Sequence, residues 1–180
     1  MRLLWIGVIL YLLPMGLVLF LKRHPFSYTS TFSRAETPRR ERILFIVGKN
    51  IMLAFFLTSF FVPLSPTPWI AGIGIVLFIG AYIVTLAGWY TIFRTPRNTL
   101  YTTGPYRFSR HPLYVSTLVV FTGMGVASGC IGYLILGLAA GILHARGALQ
   151  EERVCEGIFG DTYRQFRNRT PRWLGLPGSS

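Results

Sequence analysis

Residues 113–144 read LYVSTLVVFTGMGVASGCIGYLILGLAAGILH, a stretch with no charged side chain. Ser128-Gly129 near its middle favours a turn, so the stretch predicts two helices of about 15 and 17 residues joined as a tight hairpin. At ~1.5 Å rise per residue, each arm is only roughly 22 to 26 Å long. The hairpin therefore barely spans a hydrocarbon layer of ~30 Å, unless its arms extend into the flanking segments.

Three further apolar runs precede this hairpin, at Leu3–Leu21, Ile43–Val62 and Trp69–Phe93. Hydrophobic residues make up 52% of the chain and charged residues 13%, whereas soluble domains carry about 25% charged residues. The pattern predicts a single all-α domain, a polytopic membrane protein with about five transmembrane helices. Residues 1–93 would hold three of them, and residues 94–180 a loop, the hairpin and a cytoplasmic C-terminal helical tail.

Lysine and arginine are concentrated in three connections: six lie in residues 22–42, four in residues 94–110 and six from Arg146 onward. Residues 63–68 and the hairpin turn carry none. The positive-inside bias therefore places the N-terminus outside and the C-terminus in the cytoplasm. A net charge of +12 would also suit a nucleic-acid binder, but arginines beside membrane spans are explained by topology and anionic headgroups. No nucleic-acid partner is expected.

The two cysteines do not indicate a disulfide. Cys130 falls in the hairpin turn and Cys155 in the cytoplasmic part, so the predicted topology puts them on opposite sides of the membrane. Neither lies beside a histidine at metal-ligand spacing, and no metal site is predicted. An isolated Arg-His-Pro at residues 23–25 is interpreted as the polar end of the first span.

A polar motif, Gly-Pro-Tyr-Arg-Phe-Ser-Arg-His-Pro-Leu-Tyr, occupies residues 104–114. Gly104-Pro105 favours a turn, and Pro112 suits the first turn of a helix, which places Arg110 and His111 at the mouth of the hairpin. One interpretation is that the arginines contact phosphate headgroups and the tyrosines belong to an aromatic belt.

The distribution of acidic residues favours a binding site instead. Four of the six lie within eleven positions, Glu151, Glu152, Glu156 and Asp161. A charged helix end is usually only a solvated face. Here the hairpin brings the segment before its first arm close to the segment after its second. Because polar groups are costly in a membrane, we interpret the 104–114 motif and the acidic residues as parts of one pocket. Its acidic side chains could bind a cation or ribose hydroxyls, and Arg110 or His111 could bind a carboxylate.

The motif at 104–114, Glu151-Glu152, Phe159-Gly160 with Tyr163, and Pro171-Arg172 together resemble the C-terminal signature of the isoprenylcysteine carboxyl methyltransferase and phospholipid methyltransferase superfamily. The resemblance covers roughly residues 94–174. It implies an integral membrane methyltransferase that uses S-adenosylmethionine without a Rossmann domain, with its cofactor pocket on the cytoplasmic side.

The resemblance also implies roles for particular residues. Arg172 would lie near the transferred methyl or the acceptor, and Arg172 and Glu152 are the predicted catalytic residues. The cofactor-binding residues would be Tyr106, Arg110, His111, Pro112, Tyr114, Glu151 and Glu152.

The expected acceptor is a lipid or lipophilic small molecule carrying a carboxylate, an amine or a thiol. A carboxylate or thiolate needs no general base once it is ionised, whereas an amine must be neutral, and His111 or a glutamate could then take its proton. Two alternatives stay open: a nicotinamide-dependent, sterol-reductase-like membrane enzyme, and a non-catalytic scaffold or transporter.

Overall fold

A computed structural model describes residues 67–96, 99–176 and 178, with the separate positions 43, 47, 50, 58, 61 and 63–65. Its elements are α1 (Pro68–Arg94), a 3-10 turn (Gly104–Arg107), α2 (Pro112–Ser128), α3 (Ile131–Phe159) and α4 (Asp161–Arg169). The described residues contain no strand, which confirms the helical class for this part. The predicted span Leu3–Leu21, most of Ile43–Val62, and hence the count of five spans lie outside the described residues.

Helices α1 and α3, of 27 and 29 residues, are long and apolar enough to cross a membrane, and α2 is a shorter apolar helix. Helix α1 coincides with the predicted run Trp69–Phe93. It starts at a proline, which lacks the N–H that a first helical turn leaves unpaired, and it ends at Arg94. Its outward side chains are apolar, with Val76 70% exposed. An apolar exposed face of this kind fits contact with lipid tails.

The predicted hairpin is present, and its second arm is longer than the uncharged stretch. Gly129 ends α2 with φ of +68°, a left-handed conformation that glycine adopts without the steric cost of a Cβ. The uncharged arm of about 17 residues extends into its flanking segment, the alternative that the sequence left open: α3 continues through the polar residues after His144 as far as Phe159. No proline interrupts that segment. The extension carries Glu151, Glu152 and Glu156 on the same helix as the apolar arm, whereas Asp161 begins α4.

Helices α1 and α2 approach each other through small residues. A Cβ on Gly123 would lie 2.8 Å from the backbone nitrogen of Phe78, and one on Gly74 would overlap the backbone of Ala127. Small residues allow this close approach of helix backbones in membranes. A buried hydrogen bond of 2.9 Å from the Thr85 hydroxyl to the Ser116 hydroxyl also joins the two helices. These contacts fix α2, and with it the polar loop that precedes it.

The segment after α4 returns to that loop. The backbone N–H of Arg110 donates to the carbonyl of Pro171 (3.0 Å), and the N–H of Gly175 donates to the carbonyl of Phe108 (3.1 Å). The chain on either side of Arg172 is therefore held against the 108–111 loop. This pairing brings three separate parts of the sequence, the loop, the end of α3 and the C-terminal segment, to one place.

Candidate functional site

Ser109 sets the conformation of the loop. Its hydroxyl accepts the backbone N–H of His111 (3.1 Å), the hydrogen bond to a residue two positions on that is typical of a serine turn. The same hydroxyl donates to the carbonyl oxygen of Arg172 (3.2 Å), and Ser109 is buried. Sequence reasoning missed this residue, although a serine two positions before a helix-starting His-Pro was a usable signal.

Glu152 lies at the centre of the site and faces three cationic groups. Arg172 Nε donates to Oε1 and Arg172 Nη2 donates to Oε2, both at 2.9 Å, the two-point geometry that planar guanidinium and carboxylate groups favour. Arg110 Nη2 and His111 Nε2 each lie 3.3 Å from Oε1. The Glu152 side chain is only 8% exposed. Its charge is therefore held by neighbouring protein groups rather than by bulk water.

Glu151 faces His111 from the other side. Tyr114 donates its hydroxyl to Glu151 Oε2 (3.0 Å), and His111 Nδ1 lies 3.4 Å from the same oxygen. Burial lowers the pKa of His111, but hydrogen bonds and charge interactions with Glu151 and Glu152 outweigh it, and the net shift of the pKa is upward. Protonated His111 can donate to both carboxylates at once.

Arg110 is the least satisfied member of the cluster. Its side chain is 8% exposed, and its Nε and Nη1 atoms are buried with no hydrogen-bond partner among the residues that the structure describes. Leaving a buried charged donor unpaired costs about 1 to 3 kcal/mol or more. The arrangement therefore offers two guanidinium nitrogens to an anionic ligand.

The other predicted site residues have supporting positions. Tyr106 is buried in the 3-10 turn and packs against Trp89 and Ile92 of α1. Pro112 is the first residue of α2. The structure thus brings together Arg110, His111, Tyr114, Glu151, Glu152 and Arg172, while Tyr106 packs the loop against α1 and Pro112 begins α2.

Two aromatic residues join the cluster that sequence reasoning did not single out. The Trp173 ring lies 6.0 Å from the His111 ring, and the His144 ring stacks on Tyr114 at 4.7 Å with an interplanar angle of 13°. His144 has no sequence signal beyond its position at the end of the uncharged stretch. Cys130 and Cys155 are both free thiols, and within the described ranges no group of three or more His, Cys, Asp or Glu residues could hold a metal ion.

Apolar membrane-length helices with a buried cluster of arginine, histidine and glutamate at one end indicate a helical membrane protein. Residues 69–162, just over half of the 180-residue chain, match the model of the phospholipid methyltransferase family. The chain belongs to that family. The resemblance of the sequence motifs to the phospholipid methyltransferase superfamily is therefore confirmed.

Two curated relatives match parts of the chain. The cobalt-zinc-cadmium resistance protein CzcN of Cupriavidus metallidurans is 32% identical over 78 residues, which are 43% of this chain and 36% of that protein. Methanethiol S-methyltransferase 1 of Bradyrhizobium diazoefficiens is 36% identical over 64 residues, which are 36% of this chain and 22% of the relative. The matches thus span about a third or less of either relative. The family and the second relative support a membrane methyltransferase.

Proposed function

We propose that this chain transfers a methyl group from S-adenosylmethionine to a lipophilic or membrane-associated acceptor. The observation that carries the proposal is the buried Arg110 guanidinium, whose Nε and Nη1 lack partners in the described part of the chain beside the carboxylate of Glu152. S-adenosylmethionine combines a carboxylate, an ammonium group, ribose hydroxyls and an activated methyl on a sulfonium. A pocket that offers both free cationic donors and carboxylates suits such a molecule.

The residues present fit this cofactor. Arg110 can donate to its carboxylate, and Glu151 and Glu152 can accept from its ammonium group or ribose hydroxyls. His111, held between the two glutamates, fixes their orientation, and Tyr114 adds a hydrogen bond to Glu151. Tyr106 and Pro112 keep the loop in place.

Glu152 and Arg172 are the proposed catalytic residues. Arg172 holds both oxygens of Glu152 while its own side chain is 37% exposed, so it lies at the rim of the site where an acceptor arrives. Methyl transfer needs the acceptor, methyl and sulfur in line with water excluded. We propose that Arg172 orients the acceptor, and that Glu152 aligns the cofactor and holds Arg172 in position.

The acceptor is proposed to be lipophilic because the site lies at the end of apolar helices. The family is one of phospholipid methyltransferases, the superfamily resemblance adds prenylated carboxylates, and one relative, a methanethiol methyltransferase, adds a thiol. The proposal therefore covers three acceptor chemistries, all reached from the bilayer.

Calorimetry of the purified protein with S-adenosylmethionine and with NADPH tests the cofactor. We expect S-adenosylmethionine to bind, and His111→Ala to weaken it roughly 10- to 150-fold, because losing a charge-assisted hydrogen bond costs ~1.5 to 3 kcal/mol. His24→Ala, in the isolated Arg-His-Pro, is the control and should change little. Binding of NADPH alone would favour the reductase alternative, and binding of neither would favour a scaffold or transporter.

We also propose that the site faces the cytoplasm. In a Cys130→Ser background, a cysteine at Asp161, whose side chain is 86% exposed, should be protected from an impermeant thiol reagent in intact cells. A cysteine at Thr67 should be labelled. Labelling at position 161 from outside would reverse the proposed orientation.

A further inference from the structure

The chain after Arg172 presents apolar side chains to the outside of the protein. Leu174 is 75% exposed and Leu176 is 85% exposed, and the exposed ring of Phe108 belongs to the loop that pairs with this segment. We call these three residues the apolar rim. Backbone hydrogen bonds between the segment and the loop hold the rim in this outward position. Large apolar side chains that are held outward together indicate an interaction surface.

Helix α1 shows where a bilayer would lie. Its exposed aromatic residues Trp69 and Tyr90 are 21 positions apart, about 32 Å along a helix, which matches a hydrocarbon layer of about 30 Å. Trp and Tyr are enriched at the two membrane–water interfaces. The guanidinium of Arg94, one turn beyond, lies 5.2 Å from the centre of the Tyr90 ring. The residues around Tyr90 therefore mark one interface.

The polar loop and the charge cluster lie at this same level. Tyr106 of the loop packs against Trp89 and Ile92 of α1, beside the interfacial end of that helix. On α3, Glu152 follows the exposed first residue, Ile131, by 21 positions, again about 32 Å. With α1 and α3 across the bilayer, both distances put the cluster at the headgroup boundary. The apolar rim, which is bonded to the same loop, lies beside it.

Two arginines flank the apolar rim. Arg107 directly precedes Phe108 in the loop. Beyond Leu176, the N–H of Gly178 donates to the carbonyl of Arg169 (2.8 Å), which holds the end of the segment beside that arginine. Both arginines are exposed. The four acidic residues that the structure describes all pair with other groups, so neither arginine has a carboxylate partner within the described ranges.

These features fit an anionic phospholipid surface better than a protein partner from this chain. Phospholipids of such a surface offer acyl chains to apolar side chains and phosphates to guanidinium groups. Residues 22–42, outside the described part of the chain, carry six Lys or Arg and two acidic residues, so their net charge has the same sign as that of the flanking arginines. A second copy of the chain would present the same basic surface. Both would meet it with like charge.

We propose that the apolar rim, with Arg107 and Arg169, binds the headgroup boundary of an anionic leaflet. The three apolar side chains lie among the first acyl carbons, and the two guanidinium groups contact lipid phosphates. This surface binds lipid whether or not the protein transfers a methyl group. Because Arg172 belongs to the same segment, the bound lipid lies next to the charge cluster.

Fluorescence quenching at defined depths tests this position. In a Cys130→Ser background, with the buried Cys155 left in place, Leu176→Cys is labelled with an environment-sensitive fluorophore. The protein is placed in nanodiscs of phosphatidylcholine and phosphatidylglycerol. We expect a spin label near the start of a lipid acyl chain to quench the fluorophore strongly, and aqueous iodide to quench it little. Leu174→Cys, the second position, should behave in the same way.

The matched control is Asp161→Cys with the same fluorophore. Asp161 begins α4, beyond the end of α3 at Phe159, and its side chain is 86% exposed. Iodide should quench this label, and the spin-labelled lipid should not.

Lipid charge is tested with the fluorophore at position 176. At equal mole fraction, spin-labelled phosphatidylglycerol should quench it more than spin-labelled phosphatidylcholine, because each arginine near an anionic surface favours an anionic lipid roughly fivefold. The double change Arg107→Gln and Arg169→Gln should abolish this preference, and high salt should weaken it. Arg164→Gln is the control and should keep the preference, because Arg164 already pairs with Glu156 and Asp161.

Three results would overturn the proposal. Quenching of position 176 by iodide to the same extent as position 161 would place the apolar rim in water. A label that neither quencher reaches would show that protein covers the rim. Equal quenching by the two lipids would show that the arginines do not select anionic phospholipid.

Discussion

Two glutamates that lie four residues apart on α3 each bind arginine at the same distance but have different surroundings. Arg172 contacts Glu152 at 2.9 Å, and Arg164 and Arg167 each contact Glu156 at 2.9 Å. The Glu152 side chain is 8% exposed and that of Glu156 is 31% exposed. The nitrogen–oxygen distance therefore does not distinguish the two clusters, whereas the burial of the glutamate does.

The difference has an energetic reason. Exposed ion pairs are weak because water and salt screen them, whereas a buried charge is costly unless it is fully paired. In the exposed cluster both carboxylate oxygens of Glu156 accept hydrogen bonds from arginine, one from Arg164 and the other from Arg167. In the buried cluster Arg110 keeps two nitrogens without a partner from the described residues. These unpaired nitrogens are the reason that we propose the buried cluster, and not the exposed one, as the ligand site.

Glu152→Gln should produce the largest effect. The change keeps the size of the side chain and removes the charge that faces Arg110, His111 and Arg172. Breaking a buried pair costs about 3 to 5 kcal/mol, so the unfolding midpoint in detergent should fall markedly. Calorimetry should show S-adenosylmethionine binding lost.

The matched control is Glu156→Gln in the exposed cluster, which should leave both the midpoint and the affinity close to wild type. Similar losses in the two variants would show that burial does not separate the clusters.

The sequence predicted the parts of the fold that depend on local signals. Trp69–Phe93 is bounded by Pro68 and Arg94, and the turn at Ser128-Gly129 follows from glycine's freedom. The proximity of the loop to Glu151-Glu152 followed from the hairpin, because two antiparallel arms bring their outer ends together.

The rest depends on tertiary geometry. The pairing of Arg172 with Glu152 requires α4 and the segment after it to fold back, and no local pattern in residues 160–171 sets that direction. The end of α3 at Phe159 could not be predicted, because its polar half lacks the apolar periodicity that marks a span, although its composition permits the extension of the helix. His144 was not predicted, because the role of a single histidine depends on its neighbours and the sequence does not show that its ring stacks on Tyr114.

The next largest effect is expected at Arg172→Lys. Lysine keeps the charge but loses the planar fork that holds both oxygens of Glu152. We expect turnover to fall about tenfold, which corresponds to ~1.4 kcal/mol of transition-state stabilisation, with cofactor affinity nearly unchanged.

Arg167→Lys, on the exposed Glu156, is the paired control and should turn over as wild type. Wild-type turnover in Arg172→Lys would refute its role in orienting the acceptor and would favour a contact with lipid headgroups instead.

A smaller effect should appear in the pH dependence of stability. Because the pKa of His111 is raised in the folded protein, its contribution is fully present below the unfolded pKa of about 6.5 and is lost as pH rises through the higher folded value. The unfolding midpoint of the wild type should therefore decline across that window above pH 6.5. His111→Gln should lack this decline, and Glu156→Gln should retain it. A decline of the same size in His111→Gln would assign the dependence to another group.

The smallest effect is expected at Arg164, which contacts Glu156 and Asp161 with a side chain that is 57% exposed. Such a pair competes with water and with dissolved salt, and it also restricts two long side chains. Arg164→Gln should therefore leave cofactor affinity within roughly twofold of wild type, and its unfolding midpoint should match that of wild type most closely at high salt, where screening has already weakened the pair. Thermal unfolding at low and high ionic strength measures this. A large loss that persists at high salt would mean that the exposed cluster is coupled to the site, and the contrast between the two clusters would then fail.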